Sequence, residues 1–145
     1  MSSVYIIGVS TTQFQRWPDR SYADLAREVV DGVLRDASPE LGAQLDSVAF
    51  GSCAMGLWGQ PNVRGPSCLG DLLEEGALPS RIPITDLEGG CATGGMALLS
   101  AFKDVASGVA ELSLALGVDK TFKPDDPVGM KALFDGAMVP TDAAA

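Results

Sequence analysis

The 145-residue chain has no histidine, ten lysines and arginines against nineteen aspartates and glutamates, and three cysteines. Each shortage removes a class of function. Without histidine, a zinc site would need cysteines alone, and three without C-x-x-C spacing fall short of the usual four ligands. Any nucleophile here also lacks the imidazole base that commonly activates one. The net charge of −9 argues against nucleic acid as a partner, because phosphate contacts need clustered Lys and Arg. No apolar stretch reaches the ~20 residues needed to span a bilayer, so a membrane is not expected either. No charged start followed by an apolar run marks a signal peptide. Internal repeats and long low-complexity tracts are absent. Cys53, Cys68 and Cys91 are an odd set, read most simply as free thiols in a cytoplasmic protein.

What is present describes one globular domain with material for a core: 46% hydrophobic residues and 20% charged. Val4–Val9 is a continuous apolar run rich in β-formers, as in a strand buried on both faces. Thr11–Arg20 is a polar loop containing Trp17-Pro18. Ser21 opens a helix, and Asp24 three residues later completes a capping-box-like pair. Leu25, Ala26, Val29, Val30, Val33 and Leu34 form its apolar face, and Ser38-Pro39 ends it. Asp46–Ser52 is a second strand, followed by a glycine- and proline-rich loop over 53–67. A short helix is expected over Pro66–Glu75 and a third strand over Arg81–Glu88. From Cys91 a helix runs to about Ser107, with Gly108 as its cap. Met96, Leu98, Leu99, Ala101, Phe102, Val105 and Ala106 make this helix so apolar that it should be largely buried. Glu111–Val118 is a fourth strand. Strands alternating with helices imply an α/β fold with a mainly parallel sheet. The tail from Asp119 differs: it has three prolines, little periodicity and an unfinished-looking end, "TDAAA".

The chemistry concentrates in "EGGCATGGMALLSAF", Glu88 to Phe102. Gly89 and Gly90 permit a sharp turn after the strand. Cys91 then lands beside a helix N-terminus, where free N–H groups and the helix dipole favour a thiolate. The same N–H groups can receive a carbonyl oxygen as it becomes negative. Gly94 and Gly95 clear side chains from the approach. This is the layout of a nucleophile elbow with sulfur in place of oxygen. From these residues alone, an inert buried thiol in a glycine-packed junction is the commoner reading of Cys91.

"GGCATGGMAL" resembles the nucleophile motif of the thiolase superfamily, Cys-Ala-Ser/Thr-Gly followed by a small residue. The order of the other segments agrees. "VYIIGVSTTQF" resembles the opening strand and loop of thiolases. "DSVAFGSCAMGLWGQPNVRG" resembles the second strand followed by a Gly-Gln-Asn-Pro-x-Arg-like stretch, here Gly59, Gln60, Pro61, Asn62, Val63 and Arg64. "LALGVDK" resembles the Gly-Phe-Glu-Lys-like segment of sterol-carrier or lipid-transfer thiolases. The similarity runs from Val4 to about Lys120, as in acetyl-CoA-acetyltransferase-like enzymes. It implies a thiolase-like N-terminal half over residues 1–120, with a mainly parallel sheet and a buried nucleophile helix, and the start of a loop domain or a partner-binding tail over 121–145. It implies Cys91 as the catalytic nucleophile toward an acyl-CoA or 3-ketoacyl-CoA, with coenzyme A as substrate and no covalently bound cofactor. Thr93 takes the family's Ser/Thr position, where a structural role at the helix start is expected.

The departures from the family bear on function. Thiolases activate the nucleophile with a histidine and handle the substrate α-carbon proton with a second cysteine, both in a C-terminal half with no counterpart here. Cys53 and Cys68 come too early to be that cysteine, and packing is expected of them. The chain is thus expected to be an incomplete thiolase component, completed by a complementary thiolase-like subunit or by copies of itself, or else a truncated fragment or a non-catalytic binding and assembly module. A ketosynthase-like or retro-aldol role stays open within the family, although the retained Cys91 favours acyl transfer. Elsewhere, Trp17 and Trp58 are expected to cover a core edge, Arg64 to make a local ion pair, and Glu74-Glu75 and Asp125-Asp126 to be solvated.

Overall fold

The Ser21 side chain accepts the Asp24 amide at 2.9 Å and the Asp24 carboxylate accepts the Ser21 amide at 2.8 Å. The expected capping box therefore closes, and helix α1 runs Tyr22–Ala37. In the computed structural model, which describes residues 3–138, the chain continues through a 3-10 turn, Pro39–Gln44, into strand β1, Ser47–Gly51. Helix α2 is Arg64–Glu74, strand β2 is Ile84–Leu87, helix α3 is Thr93–Ser107 and strand β3 is Ser113–Gly117. The sheet is parallel throughout, in the order β2-β1-β3. This is the α/β architecture that the alternation of elements predicts.

Side chains of the central strand sort its two faces. Val48 and Phe50 join Leu25, Ala26, Val30, Leu69, Leu72, Leu114 and Leu116 in the main core beneath α1 and α2. Ala49 turns the other way and meets Ala97 and Ala101 of α3. Small residues on both sides let α3 sit close. A Cβ built on Gly51 would lie 2.9 Å from Thr93 Cγ2. Gly108 ends α3 in the left-handed region at φ 78°, where glycine is at no disadvantage.

Two expectations need correction. The nucleophile helix is buried only on its sheet side; Leu98, Leu99 and Phe102 are 52%, 50% and 49% exposed. Its apolar character extends around the cylinder, but α3 is the outermost layer on that face among the described residues. The run Val4–Val9 is no strand here. It lies along α1, with Gly8 too close to Ala37 to admit a Cβ and the Val9 amide on the Asp36 carboxylate at 2.8 Å. No strand among the described residues pairs with it, and Tyr5, Ile6, Ile7 and Val9 are exposed. The weakly periodic tail holds a helix. Asp126 caps the Gly129 amide at 2.8 Å, Pro127 takes the first helical position, and helix α4 runs Pro127–Gly136. The "TDAAA" ending lies outside the described residues.

Candidate functional site

In open parallel sheets, ligands bind beyond the carboxyl ends of the strands. Here those ends release three loops side by side: 52–63 after β1, 88–92 after β2, and 118–126 after β3. Cys91 stands on the second, in a 3-10 turn, Gly90–Ala92, just ahead of α3 rather than within it. Gly90 has φ 57°, so the turn uses the glycine freedom inferred from sequence. The Cys91 side chain is exposed. This separates it from the inert buried thiol left open above.

The turn is braced by Thr93. The Gly89 amide donates to Thr93 Oγ1 at 2.9 Å, and that hydroxyl donates to the Gly90 carbonyl at 2.7 Å. Thr93 itself is buried, 3% exposed. One side chain thus closes a ring across the residues that present Cys91. Among the described residues no side chain caps α3, whose N-cap residue is Ala92, so its first amides are not consumed by such a cap.

A second feature was not legible from the sequence. The Asp119 carboxylate, just past β3, accepts the Ser52 hydroxyl at 2.9 Å and the Cys53 and Ala54 amides at 3.0 and 2.8 Å. The Cys53 thiol donates to the same carboxylate at 3.4 Å. These partners are 65 to 67 residues away in sequence, and no local pattern announces the pairing. Burial, and then the neighbouring Asp119 charge, push the Cys53 thiol up to about 11. Cys53 borders a groove formed with Gly56 and Leu57 on one side and Asp126, Gly129 and Leu133 of the α4 region on the other.

The remaining candidates have structural places. Cys68 is buried, with its thiol 3.8 Å from Met55 Sδ, and burial pushes it up to about 11. Arg64 makes no ion pair among the described residues: its guanidinium donates to the Ser52 carbonyl, while the amides of Arg64 and Gly65 take the Asp86 carboxylate at 3.0 and 2.6 Å. The guanidinium holds the β1 exit, and Asp86 satisfies the first amides of α2. Glu75 is not merely solvated but forms a bidentate pair with Arg27 at 2.8 and 2.9 Å. Trp17 and Trp58 pack on the core edge as expected. Trp58 also donates to the Lys120 carbonyl at 2.8 Å and carries the Lys120 ammonium 3.8 Å above its ring. Among the described residues, no cluster of three His, Cys, Asp or Glu side chains is placed to hold a metal ion. No described helix is long and apolar enough to cross a membrane.

No protein-family profile matches the chain. Individual proteins do. It is 36% identical over 127 residues to an acetyl-CoA acetyltransferase of Methanothermobacter thermautotrophicus, a match covering 88% of this chain and 32% of that protein. It is 34% identical over 143 residues to human sterol carrier protein 2, covering 96% of this chain and 23% of that protein. It is 29% identical over 116 residues to the benzoylsuccinyl-CoA thiolase subunit BbsB of Thauera aromatica, covering 80% and 28%. The chain therefore spans about a third or less of the length of these relatives.

Proposed function

We propose, from the premise that this chain belongs to the thiolase superfamily, that it supplies the acyl-accepting half of a thiolase-type active site. The observation that carries this is the exposed Cys91 on its Thr93-braced glycine turn at the carboxyl edge of a parallel sheet. In the step proposed, Cys91 Sγ attacks the carbonyl carbon of an acyl-CoA thioester. A carbon–sulfur bond forms, the oxygen becomes negative beside the backbone amides of the turn, and coenzyme A leaves as its thiolate. The Cys91 proton must go to a base. The sequence has no histidine, so the base and the second catalytic cysteine come from outside these 145 residues, as from a complementary thiolase-like polypeptide. Coenzyme A is a substrate here. Residues 121–145 would begin the loop domain or contact the partner. The three free thiols suit a cytoplasmic setting.

The test is competitive alkylation with mass-spectrometric mapping, with and without acetyl-CoA. Cys91 should label faster than Cys53 and Cys68, acetyl-CoA should protect it, and Cys91→Ser should lose acyl capture while retaining assembly. Equal labelling of all three thiols without protection would leave a non-catalytic assembly module, the role favoured by the open apolar face of α3.

A further inference from the structure

The carboxyl edge of the sheet carries two thiols, not one. β1 and β2 are adjacent, with Gly51 opposite Leu87, and the Ser52 amide donates to the Leu87 carbonyl. Cys53 and Cys91 thus leave the sheet on neighbouring loops, and neither is fully buried. Either could attack a thioester, and acyl captured on Cys53 would sit on the wrong sulfur for any base aligned with Cys91.

The two differ in what surrounds them. Asp119 reaches across from β3 and binds Cys53 through both its backbone amide and its thiol, with the Ala54 amide and the Ser52 hydroxyl completing the cluster. Among the described residues the Cys91 thiol makes no hydrogen bond to a carboxylate; Glu88 beside it is engaged by the Gly90 amide at 3.3 Å. The ionisable groups around Cys53 are Asp119 after β3, Glu88 after β2, Cys91 ahead of α3, and Tyr22 of α1, whose hydroxyl is held protonated by burial. Asp126 lies across the groove. Lys123, on the same loop, is occupied by the Leu57 carbonyl and lies 4.0 Å from Asp126. Arg64 of α2 holds its guanidinium on the Ser52 carbonyl, but among the described residues the charge bonded to the Cys53 thiol is the Asp119 carboxylate, which opposes a second negative charge there.

We propose that Asp119 is a positioning residue that divides the chemistry of the two thiols: it holds Cys53 in the protonated form as a wall of the site and leaves acyl capture to Cys91. The first half stands on the Asp119 cluster alone; the second rests on the acyl-transfer function proposed above. The reaction suppressed is a balanced thioester exchange. It would form a Cys53 sulfur–carbonyl bond, break the bond to coenzyme A and pass the Cys53 proton to the departing thiolate. It requires Cys53 to ionise first.

The experiment measures iodoacetamide labelling of Cys53 and Cys91 from pH 6 to 11 in the intact chain, alongside acetyl-CoA labelling at pH 8, for wild type, Asp119→Asn and Asp119→Glu. Asparagine keeps an acceptor for the two amides and the hydroxyl but removes the charge. A like charge at this range moves an acid by about one unit or more, so the Cys53 midpoint should fall by about one unit in Asp119→Asn. At pH 8 the Cys53-to-Cys91 labelling ratio should rise about tenfold, with acetyl appearing on Cys53. Asp119→Glu, which restores the charge, should keep the Cys53 midpoint high. Superimposable Cys53 profiles for wild type and Asp119→Asn would overturn the proposal. So would a faster high-pH plateau at an unchanged midpoint, which is what loss of a purely structural brace produces. If the midpoint falls but no acetyl reaches Cys91 in any variant, the acyl-transfer function fails while the hold of Asp119 on Cys53 stands.

Discussion

Replacing Thr93 tests whether the Cys91 turn is held by its hydroxyl or merely packed. Thr93→Val preserves shape but removes both the acceptor for the Gly89 amide and the donor to the Gly90 carbonyl. Those groups sit on a partly buried turn, and leaving a buried donor or acceptor unmade costs about 1–3 kcal/mol each. Water reaches part of this turn, so the pair should cost roughly 2–3 kcal/mol. Thr93→Ser keeps both hydrogen bonds and loses only the Cγ2 methyl that faces Gly51, about 1 kcal/mol with its share of the cavity. With a urea slope of about 2 kcal/mol/M, valine should lower the unfolding midpoint by roughly 1–1.5 M and serine by about 0.5 M. Tryptophan fluorescence reports the transition, because Trp17 and Trp58 both pack on the main core. Cys91 alkylation in the same samples should change for valine and stay near wild type for serine. If serine proves as destabilising as valine, the methyl contact holds the turn and the hydroxyl bracing is wrong.

Gly65→Ala would drive a Cβ to 2.5 Å from Ile84 Cγ2 and 2.9 Å from Asp86 Oδ1; overpacking of this kind costs roughly 1–3 kcal/mol, read as a lower urea midpoint. Cys68, raised by burial from 9.0 to about 11 in the folded chain, keeps its proton longer folded than unfolded. Stability should therefore be intact below pH 9 and fall as pH rises toward 11, and Cys68→Ala should flatten that fall in urea melts taken across the range. Phe102→Lys, on the open face of α3, should change the stability of the isolated chain by no more than about 0.5 kcal/mol but prevent its association in sedimentation velocity, if that face is where assembly occurs.

Local signals in the sequence were sufficient where the physics is local. The Ser21–Asp24 box, the Gly108 cap and the glycine turn before Cys91 each act within about four residues, and each is in place. Asp126-Pro127 was equally legible as a helix start, yet weak periodicity in the tail hid α4. The failures elsewhere have a different origin. Val4–Val9 has the composition of a strand, but a strand exists only when another strand offers its edge, and none does among the described residues. The exposure of Leu98, Leu99 and Phe102 likewise depends on what lies over α3, which helix periodicity does not encode. Arg64 turns back on the β1 exit twelve residues earlier, and Asp119 on Cys53 is a contact between loops brought together only by the sheet.

The placement of β1 at the centre of the sheet also sets an order of events in time. During synthesis α1 and its cap emerge first and need nothing downstream. β1 follows, apolar and bound for burial along its whole length, but its ladders to β2 and β3 join residues far along the chain; Ser47 meets Ser113, 66 positions later. Until those strands leave the ribosome, β1 has two bare edges and only α1 and then α2 to shelter against. Pairing at such separations is slow and exposes hydrophobic surface while it waits. The chain should therefore depend on holding chaperones most strongly before β3 is exposed, and stalled nascent chains whose residues 113–117 are still inside the exit tunnel should be captured by them more than chains in which those residues have emerged.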